Sequence, residues 1–249
     1  INMVRILGID LAWGYRNPDG VCSIEIKNGN AYVNEIGLVR GSTALKDWVQ
    51  NYTKNSSVMA MVDAPIICPN PSGSRPVDRL SHVKFGRFKA GCYPANQKLC
   101  PRPVEVGNML RQLGFEISWE IATAKKKRLI ASEVYPHVAI IRFFGLKERL
   151  RYKKGPVGQR RKVFSHLQKL VCSCLRSDVL DIKLTQKHQF IFEKSWTKDI
   201  EDQMDALICG LVGYWHWIHN GQKTEILGDK NTGFIVVPSD SSGLPNYSR

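Results

Sequence analysis

The chain has 249 residues, 43% of them apolar and 23% charged, enough to bury one sizeable core without requiring a second domain. No stretch approaches ~18 consecutive apolar residues and the first residues carry no signal-peptide pattern, so no membrane span and no export are expected, and the cytoplasm is the expected location. The formal net charge of +14 is concentrated, because residues 66–163 hold 21 Lys and Arg against 6 Asp and Glu, and such a belt predicts a polyanionic partner, nucleic acid first.

In chain order, Val4, Ile6, Leu7 and Ile9 form a short apolar run with too little room before Gly14 and Gly20 for a stable helix. It reads as a buried central strand with Asp10 at its carboxyl end. A carboxylate at the edge of a core is costly unless a cation meets it, and a divalent metal offsets that cost well. The bland alternative is that Asp10 caps the turn before Trp13-Gly14. Val21 to Lys27 and Ala31 to Val39 alternate around Asn28-Gly29, a hairpin signal, completing a three-stranded antiparallel meander. From Ser42, an N-cap candidate, Leu45, Trp48, Val49 and Tyr52 share one helical face as far as Lys54-Asn55. Val58 to Val62 is a second buried strand ending in Asp63, and Pro65 bars a following helix.

Three strands, a helix and a strand, with an Asp ending the first and fourth strands, is the pattern of a ribonuclease H-like core: an α/β fold with a mixed sheet, meander plus parallel strands, flanked by helices. A right-handed crossover lays the fourth strand parallel to the first and beside it. Asp10 and Asp63 then emerge together, and adjacent carboxylates repel unless a cation bridges them.

Residues 66–127 read as a basic Pro/Gly-rich insertion within a single domain spanning 1–249. Arg75, Arg79, Lys84, Arg87, Lys98 and Arg102 are its candidate nucleic-acid contacts, with Phe85, Phe88 and Tyr93 interleaved for stacking. A solvated loop anchored by those aromatics is the competing reading. A helix is predicted from Pro103 to Leu113. Cys68, His82, Cys92 and Cys100 lack any CxxC spacing, which disfavours zinc, and seven irregularly spaced cysteines argue against a disulfide framework.

Arg128 to Tyr135 is a third apolar strand carrying Glu133, followed by a helix from Pro136 to about Leu146. Arg149 to Lys154 reads as an exposed basic loop, Arg160 to Cys174 as a helix, and residues 178–196 as loops with short extended or helical pieces. The last helix, from Asp199 to about Asn220, turns Ile200, Met204, Leu207, Ile208 and Leu211 toward the sheet. Asp199, Glu201 and Asp202 suit its positive end, whereas Asp205 lies beyond the first turn and needs another reason to be there. Phe234 to Val237 is a candidate edge strand, and Pro238 to Arg249 a polar tail.

Four motifs now stand in order. They are Gly8-Ile9-Asp10-Leu11-Ala12-Trp13-Gly14; Val62-Asp63-Ala64-Pro65 with Pro69 to Arg75 and Asp78-Arg79; Glu133-Val134-Tyr135-Pro136-His137; and Asp202-Gln203-Met204-Asp205-Ala206-Leu207. Together they resemble the family catalogued as domain of unknown function 429, described as predicted nucleases of ribonuclease H-like fold, over about residues 4–237. The resemblance implies an acidic centre of Asp10, Asp63, Glu133 and Asp205, with Asp202 as an auxiliary ligand, holding Mg²⁺ or Mn²⁺ and hydrolysing phosphodiester bonds of DNA or RNA. His137 is expected either to assist protonation or to serve as a structural hydrogen-bond donor. The competing expectations are a catalytically inactive nucleic-acid-binding module of the same fold, and a phosphotransferase of the actin and sugar-kinase type. The latter needs two duplicated halves and a second phosphate-binding loop, neither of which is found.

Overall fold

β1 (Val4–Asp10) is the central strand, with β2 (Asp19–Lys27) antiparallel on one side and β4 (Ser57–Val62) parallel on the other. In this computed structural model, residues 3–54, 56–121, 128–239, 241–242 and 244–245 are described. Asn55, the end of the expected insertion and half of the expected tail lie outside them. β3 (Asn30–Val39) completes the meander, turned by Asn28 and Gly29 at positive φ. α1 (Ser42–Thr53) begins at Ser42, so the cap is Gly41 rather than Ser42, and it buries Leu45, Trp48, Val49 and Tyr52 as its spacing predicts.

The insertion is more ordered than its composition implies. Pro76 and Pro101 occupy first-turn positions, where a fixed φ and a missing N–H are no handicap, and they open α2 (Pro76–Phe85) and α3 (Pro101–Gln112). Reading prolines only as breakers misses α2 and starts α3 two residues late. β5 (Glu116–Ile117) then joins the sheet edge beside β6 (Leu129–Glu133), which runs parallel to β4. α4 (Pro136–Phe144), closed by Gly145 at φ 61°, and α5 (Val157–Leu175) follow. Residues 178–196 supply β7 (Ile182–Leu184), parallel to β3, and the single turn α6 (Phe190–Glu193). The seven-stranded mixed sheet has the order β5-β6-β4-β1-β2-β3-β7 and is flanked by helices.

α7 (Lys198–Ile218) lies across β1, β2 and β4, opened by the Thr197 hydroxyl, which accepts from the Ile200 amide at 3.2 Å. Two strand glycines permit its approach. A Cβ on Gly8 would stand 2.0 Å from the Ala206 carbonyl oxygen, and one on Gly20 2.0 Å from that of Asp202. The expected edge strand instead pairs with a neighbour outside the main sheet: β8 (Thr224–Asp229) and β9 (Gly233–Pro238) form a separate hairpin, joined to the rest by the Val134–Val236 bridge. Among the described residues no helix is long and apolar enough to cross a membrane.

Because helix backbone, not a flexible side chain, fills the space over Gly8, Gly8→Ala is expected to destabilise the fold by more than ~3 kcal/mol. Gly37→Ala is its control, since nothing there lies closer than 3.9 Å. Denaturant unfolding of the two variants checks this, and equal stability would contradict the close approach.

Candidate active site

The parallel β1–β4 register pairs Ile9 with Val62, and the Asp63 amide donates to the Ile9 carbonyl at 2.8 Å. One step further along that register, Asp10 and Asp63 stand side by side on one face, since in-register residues of neighbouring strands point the same way. Gly8 and Gly20 identify this as the α7 face. α7 brings Asp205, fully buried, and Asp202, nearly so, to the same end.

The β4–β6 register pairs Val62, not Asp63, with Glu133. Alternation therefore turns Glu133 to the opposite face. There Arg75 holds it through two hydrogen bonds of 2.7 Å, and the same guanidinium binds Asp78 at 2.8 Å and the Ile67 carbonyl at 2.9 Å. The sequence expectation grouped Glu133 with the other acids; the structure places it in a buried ion pair stitching α2 to the sheet.

Asp205 accepts a hydrogen bond from the Tyr152 hydroxyl at 2.7 Å, and Lys153 Nζ lies 2.5 Å from its other oxygen. Asp202 is ion-paired with Lys198, which also meets Glu201 at 3.0 Å. Asp10 and Asp63 are different: among the described residues neither carboxylate has a hydrogen-bond or ion-pair partner, although both feel the Lys153 charge. Both are partly accessible at the floor of a cleft of about 270 Å³. A smaller recess of about 130 Å³ runs from Asp10 toward Asp202 and Lys198.

Burial raises the Asp10 pKa well above its ordinary value, Asp205, Asp63 and Asp202 adding to the rise while Lys153 opposes it. Asp63 is pushed up to about 7, again by burial first, with Lys153 opposing and Asp205 and Glu133 adding. For Lys153, burial acts downward, but Asp205, Asp10, Tyr152 and Asp63 outweigh it and hold the ammonium charged. His137 lines the same cleft and is driven down to about 3, by burial and then by Lys153, so it is neutral at physiological pH.

The expected basic contacts divide by burial. Arg79, Lys84, Arg87 and Lys98 are exposed, Lys84 pairing with Glu225 and Arg87 stacking 4.6 Å over Phe88. Arg75 and Arg102 are buried and present no guanidinium to a phosphate. Arg102 is fully enclosed, grips Asp19 through bonds of 2.7 and 2.6 Å and reaches the Ala12 carbonyl, while Asp19 accepts from the Ala12 amide at 2.9 Å. That pair fixes the loop leaving Asp10.

Arg149 to Lys154, expected as an exposed loop, is a cleft wall. Arg151 and Lys154 are exposed, but Tyr152 is fully buried and Lys153 points inward. An aromatic inside a run of cations was the available signal, since a tyrosine there needs something to pack on.

The chain matches the model of the family described as "Protein of unknown function (DUF429)" over residues 8–232. It belongs to that family. No curated protein and no solved structure matched it.

Asp63 has a folded pKa of about 7 against an ordinary 3.8, so the native state binds the extra proton between those values. Stability tied to this group is therefore present at low pH and lost as pH rises toward about 7. From about pH 5 to about pH 8 the wild-type Tm is expected to fall more steeply than that of Asp63→Asn, which should be the more stable protein at the upper end. Parallel thermal-melt profiles would contradict the assignment.

Proposed function

We propose that this chain is a metal-dependent hydrolase of nucleic-acid phosphodiester bonds, with Asp10 and Asp63 as its central carboxylates. One observation carries the reading: two adjacent, cleft-facing acids with raised pKa values have no hydrogen-bond or ion-pair partner among the described residues. Clustered acids of this kind are uncommon unless a site uses them. Support for a ribonuclease H-like arrangement comes from the sheet, where β3-β2-β1 are antiparallel and β4 and β6 add parallel strands, and from the acids ending β1 and following β4.

The donor set fits a divalent cation in its chemistry. Carboxylate oxygens suit Mg²⁺ and Mn²⁺. Among the described residues no three acid, His or Cys side chains are gathered as a metal site; Lys153 pairs with Asp205, Lys198 with Asp202, and Glu133 faces away. Asp10 and Asp63 would hold the ion, with Asp205 released to it when Lys153 withdraws. When bound, such an ion polarises a phosphate and acidifies water.

The chain's own residues supply the rest. Arg149, Arg151 and Lys154 at the cleft rim offset phosphate charge, and the Asp19–Arg102 pair holds the loop beyond Asp10 in place. His137, held neutral, packs between the Tyr135 and Tyr152 rings in the cleft wall, and its buried Nδ1 has no hydrogen-bond partner among the described residues.

A second reading, a nucleic-acid-binding module without turnover, is favoured by Lys153, a resident cation among the acids. Incubating labelled single-stranded DNA, duplex DNA and RNA with and without Mn²⁺ or Mg²⁺ separates the two. Cleavage requiring the added cation, and falling below about one-hundredth in Asp10→Asn, is expected. Binding without cleavage under every condition selects the module instead.

A further inference from the structure

We propose that the cleft above Asp10 and Asp63 admits one unpaired nucleotide of a single strand, stacked against Trp13 and Tyr93 with its phosphates on Arg149, Arg151 and Lys154. This deepens the hydrolase reading and rests on it for the placement of the scissile phosphate.

Trp13 is 37% and Tyr93 60% exposed, and both line the cleft that holds the two unpartnered acids, together with half-buried Tyr135. Large exposed aromatics gathered at one opening are a stacking surface looking for a ring. A base inside a duplex has both faces covered by its neighbours. Only an unpaired base can lend a face to Trp13 or Tyr93.

The rim charges point to the same ligand. Among the described residues Arg149, Arg151 and Lys154 have no carboxylate in ion-pair contact, unlike the buried Arg75 and Arg102. Lys154 donates to the Tyr93 hydroxyl at 2.6 Å and sits 5.3 Å from that ring's centre, so it orients the stacking surface while keeping its charge at the rim. Cation and ring side by side match a phosphate and its base.

Size favours the single strand. A space of about 270 Å³ lies near the lower bound for small-molecule sites and has room for a nucleotide-sized group. Since Asp10 and Asp63 are at its floor, a phosphodiester has to enter to reach them. A single strand can turn one phosphate into this space, whereas a rigid duplex has to present its backbone as part of a stiff two-stranded surface.

Fluorescence anisotropy with a fluorescein-labelled 12-nucleotide single strand, and with the same sequence as duplex, in EDTA, tests this. The strand should bind ~10-fold or more tightly than the duplex, and Tyr93→Ala and Trp13→Ala should each weaken it ~5- to 100-fold. Arg151→Ala should reduce the slope of log affinity against log salt by ~0.7. Thymidine monophosphate, added at the same nucleotide concentration, should compete poorly because it brings one phosphate to several cations. Equal or tighter duplex binding, full competition by the mononucleotide, or unchanged affinity in both aromatic variants overturns the proposal. Measured without a divalent cation, the result is separable from catalysis: tight strand binding with no cleavage under any metal sinks the hydrolase reading alone, and cleavage of a duplex bound as tightly as the strand sinks this inference alone.

Discussion

Like charges share the floor of this cleft, and Lys153 makes that tolerable. Two unit charges ~4 Å apart repel by ~4 kcal/mol at an effective dielectric of 20, more than an ordinary hydrogen bond of ~1 kcal/mol returns. Asp205 is answered directly by Lys153 and Tyr152, while Asp10 and Asp63 feel the same ammonium only at longer range. Burial first, and then the neighbouring acids, raises their pKa values beyond what Lys153 offsets. On the proposed reading, this arrangement is kept for what it binds rather than for stability.

The scaffold is built to force those acids together. Gly8 sits two residues before Asp10, and Gly20 pairs with Asp10 across the β1–β2 ladder. Without side chains at these points, the α7 backbone settles onto the strands and sets Asp202 and Asp205 beside the β1 terminus. From the other side, the Arg102–Asp19 pair pins the loop that carries Trp13 to the cleft. Arg75 does comparable work for the insertion, tying the α2 amino end to Glu133 and Asp78. Part of the basic excess in the middle of the chain thus turns inward, on folding, and of the outward cations Arg149, Arg151 and Lys154 line the cleft of the acids.

Much of this was legible in the residues themselves. Apolar runs ending in Asp10 and Asp63 identified the central strands, the Asn28-Gly29 turn fixed the meander, and the apolar face of α7 singled out Asp205 as an acid with no capping duty. The facing of Glu133 was not legible. It depends on a one-residue register between β4 and β6, and local patterning carries no information about register between strands distant in sequence. Nor was the inward turn of Lys153, because a run of cations reads as solvated until the acids that attract it are placed in space; only Tyr152, an aromatic inside that run, signalled a buried wall. The α2 helix was hidden by its own starting proline, whose meaning depends on whether a helix follows.

The most direct test is a crystal soaked in Mn²⁺ and measured for anomalous scattering. The proposed centre predicts a peak in contact with Asp10 and Asp63, with Lys153 Nζ drawn off Asp205. Lys153 still seated on Asp205, with no peak at the two strand-end carboxylates, would contradict it.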